Sequence, residues 1–101
     1  MKHMYVTVTG TQYHYGTDFL EKGMLLQLEK DPDNQYDTEA IKVTFPGLGT
    51  IGHVANSVKT RIGESMSAGR LYDRIGDKAE AKVLLVMPMG VLCEVQQNEE
   101  A

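Results

Sequence analysis

The chain has 101 residues, 42 % hydrophobic and 24 % charged, enough for one domain with a single core, too few for two, and unlike a disordered composition. One cysteine excludes an internal disulfide, and three histidines without metal-ligand spacing argue against a zinc site. The net charge of -4 argues against strong indiscriminate nucleic-acid binding, whose affinity comes from Lys and Arg neutralising phosphates.

No segment approaches the roughly 20 apolar residues of a membrane helix, and Met1–Met4 lacks the apolar run of a secretory signal. A reducing, cytoplasmic setting without a membrane partner is therefore expected. One domain with an ordered core at about residues 4–97 accounts for the whole length.

Tyr5–Thr9 is β-branched and alternating, a first strand with Val6 and Val8 inward. Gly10 lets the backbone leave that strand, and Gln12, Tyr13, His14 and Tyr15 follow on a loop. Such a cluster either lines a binding surface or covers a barrel end. A short helical turn is expected at Asp18–Glu21, anchored by Phe19 and Leu20. Met24–Lys30 is the second strand, with Met24, Leu26 and Leu28 on one face and Gln27 and Glu29 on the other.

The stretch Lys30–Val43 joins a dense turn signal to an apolar strand. Pro32 presets φ for a turn, while Asp31, Asp33 and Asn34 have short side chains that bond nearby backbone amides. Asp37 does the same for a second tight turn ending at Ala40. The result is a rigid corner carrying Tyr36. The third strand, Ala40–Phe45, then turns through Pro46-Gly47-Leu48-Gly49 into an antiparallel fourth strand, Thr50–Val54.

Asn56 reads as a helix N-cap, Val58, Ile62 and Met66 as one apolar stripe, and Gly69 as the stop. Lys59 and Arg61 fall off that stripe, either as an ordinary solvated face or as phosphate contacts. A connector with Arg70, Tyr72 and Arg74 wraps the rim. Ala79–Met87 and Val91–Gln97 form a last hairpin through Pro88-Met89-Gly90. Val83–Met87 is apolar throughout, so both its faces should be covered; Glu94 and Gln96 give the last strand a wet side. Cys93 reads as a buried, inert thiol. Six short strands, one α-helix and one short helical turn make a mainly β protein, a small six-stranded barrel plugged by helix.

The pattern Asp31-Pro32, then Asn34-x-Tyr36-Asp37, then Ala40-Ile41-x-Val43 resembles the signature of the HIRAN domain family. Gly10 with the aromatic loop, Leu26 and Leu28, and Gly52-His53-Val54 agree with it in order. The resemblance is strong from Tyr5 to about Ala68 and loose over the last two strands. It implies a compact barrel related in shape to OB and SH3-like folds.

No Walker loop, dinucleotide fingerprint or nucleophile elbow is present. Asp37 and His53 can be grouped with Ser57, Ser65 or Ser67, but those serines fall on the expected helix without elbow geometry. No enzyme activity and no cofactor are expected; in larger proteins that carry a HIRAN domain, the resemblance implies, ATP hydrolysis belongs to a separate helicase module.

The resemblance further implies a DNA-binding module that captures the free 3' hydroxyl end of single-stranded DNA in repair or replication, working with a separately encoded repair or helicase protein. The matching positions are Gln12, Tyr13 and His14, then Asn34, Tyr36 and Asp37, then His53. Tyr13 and Tyr36 offer faces for stacking terminal bases. Ionised Asp37 accepts a hydrogen bond from a 3' hydroxyl and repels a 3' phosphate. His53, Lys30 and loop amides suit the last phosphodiesters. DNA-binding members carry Arg-Tyr-Tyr where this chain has Gln12-Tyr13-His14, so one fixed charge and one stacking ring are missing. Each residue also has a structural role open to it: Asp37 as turn cap, Tyr36 as core plug, His53 as strand end, Asn34 as turn residue.

Charge is unevenly spread. Thr17–Glu39 holds seven acids and two lysines, and Val54–Lys82 six basic residues and four acids. The rival function is a protein-interaction barrel binding a basic or extended peptide along an exposed strand edge.

Overall fold

The computed structural model describes residues 3–35, 37–57 and 59–96. Six strands, β1 (Tyr5–Thr9), β2 (Leu25–Lys30), β3 (Ile41–Phe45), β4 (Gly49–Val54), β5 (Lys78–Met87) and β6 (Gly90–Gln96), close into a barrel in the order β1-β4-β3-β2-β5-β6. All neighbouring strands are antiparallel, and β6 returns to β1. The strands begin and end within a residue of the bounds expected from alternation.

The inward residues of each strand form one core. Val6, Val8, Leu26, Leu28, Ile41, Val43, Val83, Val91 and Cys93 are fully buried. Burial pushes the Cys93 thiol up to about 12, so it is protonated and inert at neutral pH. Met4 also belongs to the core, and its carbonyl accepts from the Val95 amide at 2.8 Å. A bulge opposite Val43 and Thr44 lets β4 carry one extra residue, Ile51, into the core.

The helix does not lie where the apolar stripe placed it. Residues 59–65 run through turns, and α1 is the short segment Ala68–Tyr72. The amides a helix would use are claimed elsewhere. Ser57 takes three of them: its hydroxyl accepts from Lys59 at 3.1 Å, its carbonyl from Thr60 and Arg61 at 3.0 and 3.1 Å. The Ile62 amide donates to Thr7 Oγ1 at 2.8 Å and the Met66 amide to the Tyr5 carbonyl at 2.6 Å. Gly63 sits at φ +57°, outside any right-handed helix. The segment is a strap along β1, and Thr7 beneath it is fully buried, bonded to Ser65 at 2.7 Å. Val58 lies outside the described residues. Arg61, expected in solvent, is half-buried and donates to the Ser65 carbonyl at 2.6 Å.

Ser67 is the local N-cap of α1, accepting from the Arg70 amide at 3.3 Å, and Gly69 lies inside the helix instead of ending it. Asn56 caps this helix from a distance, its Oδ1 accepting from the Gly69 amide at 2.9 Å. The short helical turn is a 3-10 turn at Thr11–Tyr13; Asp18–Glu21 forms no helix, only a tight turn closed by the Leu20 amide donating to the Thr17 carbonyl at 3.0 Å, with Leu20 buried and the Phe19 ring 6.1 Å from that of Phe45. Strand β5 also departs from expectation. Leu85 is 50 % exposed, because a bulge between Val83 and Leu85 turns it outward beside Leu92; Val86, on the inward parity opposite Val91, is 36 % exposed close to the end of the strand.

Candidate functional site

The loop after β1 is shaped by its backbone. Gly10 at φ +76° reverses the chain into the 3-10 turn, whose Tyr13 and His14 amides donate to the Gly10 and Thr11 carbonyls at 3.1 and 2.9 Å. Thr11 is buried and anchors the turn, which leaves Gln12, Tyr13 and His14 pointing away from the core. Tyr13 is 81 % exposed and makes no ring contact with another described residue. Tyr15 instead ties the loop down, its hydroxyl donating to the Leu48 carbonyl at 3.2 Å. Tyr13 borders an open depression that Thr9, Thr11, Thr60, Pro88 and Met89 also line.

His53 reaches the same region from β4. Gly52 makes this possible: a Cβ there would sit 2.7 Å from the Thr9 carbonyl and 2.9 Å from Val8 Cγ1, so only glycine lets β4 close against β1. The next residue, His53, then points outward between its register partners Thr9 and Lys42. Its ring lies 6.4 Å from that of His14, tilted by 41°. Burial holds the His53 imidazole below its ordinary value; His14 and Lys42 push in the same direction and Asp31 opposes them. His53 is therefore neutral at pH 7, with one ring nitrogen to donate and one to accept.

The corner between β2 and β3 is held by its own side chains. The Asp31 amide donates to the Ala40 carbonyl at 2.8 Å and closes the loop. Asn34 Nδ2 donates to Asp31 Oδ2 at 3.4 Å, and Asn34 Oδ1 accepts from the Asp37 amide at 3.1 Å. Asp37 Oδ1 accepts from the Glu39 amide at 2.9 Å, the turn-capping role expected of it, and its Oδ2 accepts from Asn56 Nδ2 at 3.0 Å. Among the described residues each oxygen thus has one partner, and the carboxylate is half-exposed. Tyr36 lies outside the described residues. Lys30 continues the inward parity of Leu26 and Leu28 to the barrel end, where its ammonium stands 4.4 Å over the Tyr72 ring.

The fold thus brings His14, His53, Asp31 and Lys42 together, and links Asp31, Asn34, Asp37 and Asn56 in one hydrogen-bonded chain. Lys30 is turned away from His53 toward α1. Two contributors escaped the sequence reading. Lys42 was visible as the outward residue between Ile41 and Val43, but its pairing with His53 is a matter of register; Asn56 was visible as a cap, but not of which amide. Another surface depression lies elsewhere, between Gln27, Ile75, Lys78 and Gln96, and holds none of this chemistry. Among the described residues no cluster of His, Cys, Asp or Glu is placed to hold a metal ion, and no helix is long and apolar enough to cross a membrane.

No curated protein matches the chain. Two solved structures share its fold. A protein from Lactobacillus plantarum is 20 % identical with a TM-score of 0.64, covering 93 % of each chain. The HIRAN domain of human HLTF is 21 % identical with a TM-score of 0.61, over 96 % of this chain and 77 % of that one. The family model of the HIRAN domain, a non-catalytic module generally known for binding DNA, matches residues 1–85. That match runs from the first strand into β5, through the exposed loop, the acidic corner and the Gly52-His53 pair, and the chain belongs to the HIRAN domain family.

Proposed function

We propose that this domain captures the ends of single-stranded DNA, preferring a free 3' hydroxyl, and does so in repair or replication alongside a separately encoded helicase or repair protein. What supports the reading is an exposed Tyr13 on the loop that also carries His14, the His14–His53 ring pair, and Asp31 beside His53, linked through Asn34 to an oriented Asp37 carboxylate. Tyr13, which is 81 % exposed, supplies a stacking platform indifferent to base identity. Asp37 is held by Glu39 and Asn56 so that a spare lone pair takes the terminal hydroxyl, while its charge rejects a terminal phosphate. His53 donates to a phosphodiester as a neutral ring, and Lys42 beside it supplies the cation. Gln12 and Asn34 complete the loop and corner, and Tyr36 is proposed as the second stacking ring.

A site of this kind suits an acidic domain, because end recognition rests on stacking and on one hydroxyl more than on a long run of phosphate contacts. Binding a peptide along a strand edge is disfavoured: the six strands close on one another, and the Ala55 and Met66 amides occupy Thr7 and Tyr5 where β1 extends past β4.

The test is fluorescence anisotropy with a short 5'-labelled single strand ending in either a 3' hydroxyl or a 3' phosphate. The hydroxyl strand should bind and the phosphate strand should not. Tyr13→Ala should weaken binding by about 1 to 3 kcal/mol, and Asp37→Asn should shrink the preference between the two ends. Equal binding of both ends by the parent domain would refute end capture.

A further inference from the structure

The outer face that β5 and β6 form with the adjoining ends of β2 and β1 carries large exposed apolar side chains. Leu25, Leu85 and Tyr5 are 47 %, 50 % and 39 % exposed. Strand register sorts this face into rows. One row runs Leu25 of β2, Lys82 of β5, Glu94 of β6 and Tyr5 of β1. The row on one side of it pairs Leu85 with Leu92, and the row on the other pairs Glu80 with Gln96. Each row therefore has a β5 half and a β6 half, and the halves suit each other: cation with anion, leucine with leucine, carboxylate with amide.

We propose that this face binds a second copy of the chain about a two-fold axis lying in the interface, parallel to the strands and between β5 and β6. Rotation about that axis lays the β5 half of each row over the β6 half of the same row. Lys82 then meets Glu94 of the second copy, Leu85 meets Leu92, Leu25 meets Tyr5 and Glu80 meets Gln96. An unrelated partner has no reason to match row by row, whereas an isologous interface must be its own complement. The charges are available for it. Among the described residues Lys82 forms no ion pair, and Glu94 pairs with the exposed His3. Two such faces pack as stacked sheets about 10 Å apart. Strands β3 and β4 lie across the barrel from β5 and β6, so the dimer leaves the His53 side of both copies open. The inference stands independently of what the His53 side binds.

Sedimentation of the full chain from low to high micromolar concentration tests it. The expected result is a species of twice the 11.2 kDa chain mass, lost in Leu85→Lys. Lys82→Glu and Glu94→Lys should each raise the dimer dissociation constant by more than about tenfold, since each sets two like-charge pairs in the interface. The double exchange Lys82→Glu with Glu94→Lys should restore it. Thermal melts confirm that the variants, all at exposed or half-exposed positions, remain folded. A monomer at every concentration, a dimer indifferent to Leu85→Lys, or a double exchange as weak as either single change would overturn the proposal.

Discussion

The two sides of the barrel are built by the same alternation and end up chemically opposite. Across β1, β4, β3, β2 and β5 the outward row reads Thr9, His53, Lys42, Glu29, Lys78, polar at every step, with Lys42 Nζ 3.8 Å from Glu29 Oε1. Across β5 and β6 the outward residues include Leu85 opposite Leu92, flanked by Leu25 and Tyr5. Inside, both sides contribute the same kind of residue: Ile41 and Val43 from one, Val83 and Val91 from the other. Stability thus resides in the inward set, and the outward set is left free to differ. One side is polar at every step of its row, and the other sets the leucine pair beside the cross-strand pairs Lys82–Glu94 and Glu80–Gln96.

The sharpest test of that division compares leucines of similar size on either side of the wall. Leu28 is fully buried and Leu85 is 50 % exposed. Leu28→Ala should cost roughly 2 to 5 kcal/mol, and Leu85→Ala about 0.5 kcal/mol or less, read as urea midpoints below the concentration at which the chain self-associates. Similar losses would mean that the outer face is part of the core. Next come the glycines on either side of β1. A Cβ at Gly52 meets the Thr9 carbonyl oxygen at 2.7 Å, whereas one at Gly90 meets the Thr7 methyl at 2.9 Å and the Val8 carbonyl at 3.1 Å. Gly52→Ala should cost roughly 1 to 3 kcal/mol, and Gly90→Ala less, since its nearest backbone atom stands at 3.1 Å against 2.7 Å at Gly52. Gly76, with nothing within 4 Å and no positive φ, should accept alanine without loss.

Asn56→Ala comes third. It removes the partner of both Asp37 Oδ2 and the Gly69 amide, which should cost about 1 to 2 kcal/mol. It should also loosen Asp37 and so erode discrimination between DNA ends, an effect that Leu85→Ala should not show. Asn56 also shows how far the sequence could be read. Its capping chemistry was legible from residue type, but the amide it caps lies thirteen residues on, because β1 claims the amides of Ile62 and Met66 before a helix can. The strands were legible to within a residue because period-two alternation is enforced by the core along each strand. The bulge that turns Leu85 outward, like the register that sets Lys42 beside His53, belongs to pairs of strands and is invisible in either alone. Lys30 shows the reverse case. The alternation through Leu26 and Leu28 already placed it on the inward parity at a barrel end, and the Tyr72 ring it covers comes from a helix whose position depended on the strap.

The smallest effect is the one most specific to the polar side. Burial, with His14 and Lys42, lowers the pKa of His53 in the folded protein below the roughly 6.5 it has when unfolded. As pH falls through 6.5 the unfolded chain takes up a proton before the folded one, so stability declines until pH passes the lowered folded value, below which this contribution is constant. Above about pH 7.5 both states are neutral at His53 and the residue contributes no pH dependence. His53→Gln should flatten this part of the curve of melting temperature against pH, and Leu85→Ala should leave it unchanged. Bound phosphodiesters reverse the sign, because an anion beside His53 favours the protonated ring. Strand binding should therefore strengthen over the same interval in which the free domain loses stability. Parallel behaviour of the parent and His53→Gln in both measurements would remove His53 from the interface and leave its neighbours Lys42 and His14 to account for any phosphate contact on that side.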